Sequence, residues 1–308
     1  MKERYSFYLS PHQPAEVEVM EVEESEQFVD FYEDPRPYQG IKPEDGISLI
    51  FVDGVRRTEK LVYIKDEETG DNFDGAFVSL GAGALRLSHG RVNFLEESLV
   101  EKRIKRVLFV RGSLPLDKVL DFQTVCVDGE ISVRVNKYLR DELEAKVALS
   151  VLKSFSEDLI VCDGVLSQKL KGTSCIGFVK SIRRLYFDKR YMDILYQLKP
   201  GERSPIVKVH YQQTQEEEEK VDKLTWYVKL SYQEGLHGIA RVEAFPREDI
   251  KRIADISAYL LPLFASQPFQ DRRAPQNLLP IGKLEMILRK YLGPYSLIRR
   301  QIESHFYA

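Results

Sequence analysis

Two short apolar segments of this 308-residue chain end in the same dipeptide. Phe51-Val52-Asp53-Gly54 and Val161-Cys162-Asp163-Gly164 each place an aspartate where a buried strand is expected to give way to a turn. An ionised carboxylate costs several kcal/mol to bury without a partner, so each aspartate should be exposed or face something positive. One isolated Asp-Gly is ordinarily the start of a turn. Two of them, with a carboxylate-bearing helix between, allow another reading. If the strands are neighbours in one sheet, Asp53 and Asp163 converge on one edge, where hard divalent cations bind oxygen ligands.

The helix is read from residues 137–156, where Leu139, Leu143, Val147, Val151 and Phe155 form an apolar stripe. Glu144 shares its line with Ala148, Val151 and Phe155, on the flank of that stripe. Glu142 lines up with Lys146, Leu149 and Lys153, a more solvated face. Glu144 is therefore the better third carboxylate and Glu142 the alternative, and an ordinary solvent-facing role stays open for both. Asp, Asp and Glu around two Mg²⁺ or Mn²⁺ ions can hydrolyse a phosphodiester: one ion activates water and the other stabilises the leaving oxygen. Lys180, ending the expected strand 173–180, could neutralise transition-state charge or hold a phosphate, or be a plain surface lysine. Arg56-Arg57 and Arg183-Arg184 follow Asp53 and Lys180 closely, and arginine forks suit phosphates. Two further pairs, Arg272-Arg273 and Arg299-Arg300, lie near the C-terminal end, and scattered surface charge accounts for at least some of the four.

Other chemistries are excluded more simply. Cys126, Cys162 and Cys175 form no CxxC pair, and the five histidines form no HExxH. There is no GxSxG elbow and no GxxxxGK[ST] loop. Gly81-Ala-Gly83 lacks the third glycine and the helix of a dinucleotide fingerprint, so it reads as a strand with glycine breaks. Hydrophobic residues make up 43% and charged residues 30%, which excludes a disordered chain. The net charge of −3 does not advertise nucleic-acid binding, so any such site must come from local clustering. No apolar run approaches a bilayer span and no secretory signal is visible; a soluble, cytoplasmic protein is expected.

Along the chain, residues 1–45 are acidic and irregular and read as an extended arm, with 46–308 as the folded domain. Residues 47–54, 60–65 and 73–87 read as three successive strands of a meander. Strands are also expected at 106–110, 122–127, 158–163, 173–180, 206–211, 224–232 and 238–245. The last quarter reads as helices over 247–264, 280–292 and 296–306. That order predicts a mixed α/β fold. The aromatic-rich segment 291–306 is more apolar than one chain's surface should expose, which suggests a self-associating face.

These residues resemble the NurA nucleases from Ile47 to Ile302. The matching parts are FVDGVRR (51–57), YLRDELEAKVAL (138–149), LIVCDGVLS (159–167), IGFVKS (176–181), WYVKL (226–230), GIARVEAF (238–245), RIADISAYLLP (252–262), DRRAPQNLLPIGKLEMILRKYLG (271–293) and LIRRQI (297–302). The resemblance implies an RNase H-like mixed sheet with flanking helices and a helical C-terminal segment. It implies Mn²⁺- or Mg²⁺-dependent cleavage of DNA, 5′–3′ exonucleolytic, single-strand endonucleolytic or both. It also implies a homodimer that works with a HerA-type hexameric translocase in DNA end resection. The family's metal carboxylates fall on Asp53 and Asp163, its helix glutamate on Glu144, and a late-helix carboxylate on Asp255. The chain is compact, like the bacterial branch. A non-catalytic RNase H-like module binding DNA or a partner ATPase is the competing reading, and an RNA-directed nuclease of the same fold is a third.

Overall fold

The computed structural model describes residues 4–9, 28–43, 48–87, 98–156, 158–180, 185–210, 222–233, 235–267, 269 and 274–306. Eight strands come first: β1 (Tyr5–Leu9), β2 (Phe28–Phe31), β3 (Tyr38–Gln39), β4 (Leu49–Asp66), β5 (Asn72–Leu87), β6 (Leu99–Arg111), β7 (Lys118–Val119) and β8 (Phe122–Val127). A long helix comes next, built from α1 (Ile131–Tyr138), a π-helical turn (Leu139–Glu144) and α2 (Ala145–Ser154). Then come β9 (Leu159–Asp163), β10 (Ile176–Val179), α3 (Met192–Gln197), β11 (Glu202–Arg203), β12 (Val207–His210), β13 (Lys223–Lys229) and β14 (Ile239–Ala244). Helices α4 (Ile250–Leu260), α5 (Leu279–Tyr291) and α6 (Tyr295–Phe306) close the chain.

All the described strands join one mixed sheet, whose main path runs β2-β12-β13-β14-β10-β9-β4-β5-β6-β8-β7. Its centre is the antiparallel meander β4-β5-β6, with β9 parallel to β4 and β10 parallel to β9. This is the α/β architecture expected, with helices on both faces and a helical C-terminal segment. The alternation of side chains along β4 sorts the layers. Ile50 and Val52 pack with the α1–α2 side, including Leu143, Val147 and Val151. Leu49 and Phe51 face α4, and Val55 faces Leu284, Ile287 and Leu288 of α5.

Three sequence expectations change. Asp53-Gly54 does not end a strand, because β4 runs on for 18 residues and absorbs the separate strand expected at 60–65. The reason is tertiary pairing: β5 stays in register from Leu49↔Leu87 to Lys65↔Asn72, with one irregularity between Thr58 and Lys60. The first 45 residues are not wholly apart from the sheet, since β1 pairs β4, β2 pairs β12 and β3 pairs β11; residues 10–27 lie outside the described residues. The segment 291–306 is only partly the exposed apolar face expected: Tyr291 and Leu297 are exposed, 40% and 52%, while others pack within the chain. Ile298 and Ile302 are buried with Val62, Phe77 and Leu108, and Phe306 stacks on Phe7.

One constraint positions α5. Gly83 of β5 lies directly opposite Asp53, and a Cβ there would come 3.0 Å from Leu288 Cδ2 and 3.1 Å from the Glu101 carbonyl oxygen. The bare backbone lets α5 lie close against the meander. Gly83→Val is expected to lower stability by about 1–3 kcal/mol by forcing α5 outward. Denaturant melting checks this, and an unchanged midpoint would contradict the packing argument.

Candidate metal centre

The topology leaves an opening in the sheet beside Asp53. On one side of β4, β9 pairs only Leu49–Val52 and β1 pairs only Val62–Asp66. Among the described residues, no strand covers the β4 edge between them. Strand β9 ends in Asp163, one register step past the Val52↔Cys162 pair, so it delivers its aspartate beside Asp53. The convergence expected from the sequence is present.

A third carboxylate completes the group. Asp53, Asp163 and Glu285 of α5 each offer an oxygen, and these oxygens all lie within 4.8 Å of one another. Asp53 is 6% exposed. Its Oδ1 accepts the Gly54 N–H at 2.7 Å, while its buried Oδ2 accepts nothing among the described residues. Asp163 Oδ2 accepts from Lys180 Nζ at 2.7 Å, while its buried Oδ1 also lacks a donor. Two buried carboxylate oxygens without a donor among the described residues, in one cluster with Glu285, match the hard-oxygen donor set of Mg²⁺ or Mn²⁺.

Glu144 approaches from the opposite face of β4. It closes the π-helical turn, and its Oε1 with the Leu139 side chain fills the space a Gly54 side chain would need. The extra backbone residue of such a turn re-aims the side chains beyond it. Glu142 points elsewhere and is ion-paired to Lys146 and Lys169, which pull its pKa below the ordinary value. Glu144 is thus the helix glutamate that shares the Asp163 field.

The electrostatics are those of crowded like charge. Burial, then the Asp163 charge, pushes the Asp53 pKa well above the ordinary range; Lys180 opposes this, while Glu144 and Glu285 add to it. Burial and then Asp163 push Glu144 up to about 8, against the opposing charge of Arg140. For Lys180, burial works against the charge, but Asp163 and Asp53 outweigh it and hold the ammonium's pKa above its usual value. For Asp53 and Glu144 these cations do not cancel the effect of burial and neighbouring carboxylates, and an added divalent ion would relieve that repulsion.

Other residues singled out from the sequence sit differently. Asp255 does not join the group: Arg203 donates to its Oδ1 at 2.7 Å and also grips Glu33, across pairings that tie α4 to the β3–β11 edge. Arg57 spends its guanidinium on Glu59 and on the Gly293 carbonyl, the junction between α5 and α6. Arg56 is partly buried close behind Asp53. Arg183 and Arg184, like Arg272 and Arg273, lie outside the described residues. Glu285 was missed by sequence reasoning although it stands inside the 271–293 segment. Its signal was the α5 stripe Leu284–Leu288 matched to the side-chain-free Gly83 opposite Asp53.

Among the described residues, no helix is long and apolar enough to cross a membrane. A family model described as the NurA domain matches residues 8–284. A search of the curated proteins gives no match.

The Glu144 shift has a measurable sign. Its folded pKa lies above the unfolded value, so the folded metal-free protein holds a proton that the unfolded chain releases between about pH 4.5 and 8. Stability without metal should therefore fall as pH rises through that window, with Asp53 acting in the same direction. Glu144→Gln mimics the protonated form and is expected to raise metal-free stability at pH 8 by about 1–3 kcal/mol. Thermal melts in EDTA from pH 5 to 8 test this, and a variant no more stable than wild type at pH 8 would contradict it.

Proposed function

The chain belongs to the NurA family of nucleases, and from that membership and its carboxylate geometry we propose that it is a divalent-metal-dependent deoxyribonuclease. The observation that carries this reading is the convergence of Asp53, Asp163 and Glu285 with two buried oxygens left unsatisfied. A site made only for stability would not crowd carboxylates where each raises the cost of ionising the next. Asp53 and Asp163 would hold the metal, Mn²⁺ or Mg²⁺, with Glu285 from one face and Glu144 from the other. That arrangement has enough oxygens for two ions. When bound, such ions supply an activated water and stabilise the departing oxygen.

The chain's own groups do the rest. The Gly54 N–H holds Asp53 Oδ1, which leaves Oδ2 without a donor among the described residues and available to a metal ion. Lys180, fixed on Asp163, keeps a positive charge beside the place where a phosphate would enter. Among the described residues β4 is left without a strand partner just beyond Asp53, and it is at that end of the edge, beside Asp163 and Lys180, that we place the scissile phosphate. Of the arginines proposed to bind DNA, Arg56, Arg183 and Arg184 stay as candidates for phosphate contact, and Arg57 acts by anchoring the helical hairpin. The family resemblance supports the wider setting: a homodimer acting in end resection of double-strand breaks with a HerA-type translocase. A translocase that feeds DNA to the site must leave the Asp53–Asp163 edge open, so we place its docking on the N-terminal arm or the C-terminal helices.

Cleavage of matched DNA and RNA strands with Mn²⁺, Mg²⁺ and EDTA tests the reading. DNA cleavage that EDTA abolishes is expected. Asp53→Asn and Asp163→Asn should each reduce it to background with the fold intact, Glu285→Gln should lower it strongly, and Glu142→Gln should leave it near wild type. DNA binding without cleavage under every metal condition would establish the non-catalytic module instead. Preference for RNA would overturn the substrate assignment.

A further inference from the structure

Lys223 of β13 and Glu243 of β14 form an ion pair at 2.6 Å, with side chains 4% and 2% exposed. Their bonds converge on one residue of another segment. Glu243 Oε1 accepts the Leu166 N–H at 2.8 Å, and Lys223 Nζ donates to the Leu166 carbonyl at 2.8 Å. Leu166 lies three positions after Asp163, in the turn that leaves β9. The reach is long: Glu243 stands opposite Gly177 of β10, which itself stands opposite Cys162 of β9. Glu243 therefore crosses over β10 to reach the turn. It can do so because Gly177 has no side chain. A Cβ there would meet the Gly164 carbonyl oxygen at 2.7 Å and Glu243 Cγ at 3.0 Å. The Gly164 N–H also donates to the Phe178 carbonyl at 2.8 Å, so the turn is fixed at both ends.

From this geometry we infer that the buried Lys223–Glu243 pair is a positioning device that sets the orientation of Asp163 by clamping both backbone groups of Leu166. The inference rests on the metal-centre reading above and adds to it the pair that holds one ligand in place.

Energetics favour positioning over stability. A buried ion pair returns little net stability: replacing both partners by apolar residues is often neutral, and removing one is costly only where it strands the other's charge. Burial pulls the Lys223 pKa below its ordinary value, so part of the attraction is spent on keeping the ammonium charged. Glu243 has a second cation, Arg241, at 3.6 Å. Removing Lys223 therefore leaves no isolated buried carboxylate. A group that acts on a metal ligand from behind typically changes metal affinity 10- to 100-fold when lost.

Lys223→Met is the discriminating variant, read by Mn²⁺ titration calorimetry, thermal melting and amide hydrogen exchange on the full chain. The expected result is a melting temperature near wild type, Mn²⁺ affinity about 10- to 100-fold weaker, and faster exchange confined to residues 164–167. Lys223→Gln, which keeps a donor for the Leu166 carbonyl, should recover part of the affinity. Wild-type affinity in a folded Lys223→Met protein would overturn the inference. Should that variant fail to fold, Gly177→Ala decides, since its methyl group pushes the turn without removing a charge: weaker Mn²⁺ binding supports the inference and unchanged binding overturns it. A wild-type protein that binds no Mn²⁺ would instead overturn the metal-centre reading, and this inference with it.

Discussion

The repulsion among Asp53, Asp163, Glu144 and Glu285 is the constraint on which the rest of the structure depends. Lys180 beside Asp53 and Arg140 beside Glu144 oppose this repulsion without cancelling it, and among the described residues one oxygen each of Asp53 and Asp163 is buried without a donor. Desolvation alone raises the cost of each charge, and each neighbour raises it again. Such a group persists only where the scaffold leaves the carboxylates no alternative position. Here the scaffold is a sheet in which β9 stops at Asp163 while β4 continues, backed on both faces by helices whose approach depends on missing side chains.

The same device recurs around the site. Gly54 makes room for Glu144 and Leu139, Gly83 lets α5 settle with Glu285, and Gly177 lets Glu243 cross to the turn after Asp163. In each case a helix or a long side chain occupies the place of a Cβ. The scaffold thus exchanges local strand propensity, which glycine weakens, for close approach of acidic groups. Ion pairs further out serve the same end: Arg57 ties Glu59 to the α5–α6 junction, and Lys60 meets Glu303 of α6 at 2.9 Å.

Much of this was legible in the sequence, because it was written in local patterns. The two apolar runs ending in Asp-Gly, the helix between them and the strand before Lys180 each carry a period that a single segment reveals. The preference for Glu144 over Glu142 likewise came from one helix face. The features that escaped depend on long-range partners. Asp53-Gly54 reads as a turn until β5 is known to hold β4 extended through it. Asp255 and Glu285 are both late-helix acids, and only the docking of α4 against Arg203 and of α5 against Gly83 separates them. Arg57 looks like a phosphate ligand until its guanidinium is seen to be occupied. No periodicity signals the π-helical turn.

Whether these carboxylates hold a metal decides the role of every group around them. A crystal grown with Mn²⁺ and measured at the manganese absorption edge addresses that directly. Anomalous density within about 2.5 Å of carboxylate oxygens of Asp53, Asp163 and Glu285 is the expected result. Density at other sites alone, or a Mn²⁺-soaked crystal in which Asp53 and Asp163 hold no ion, would contradict it.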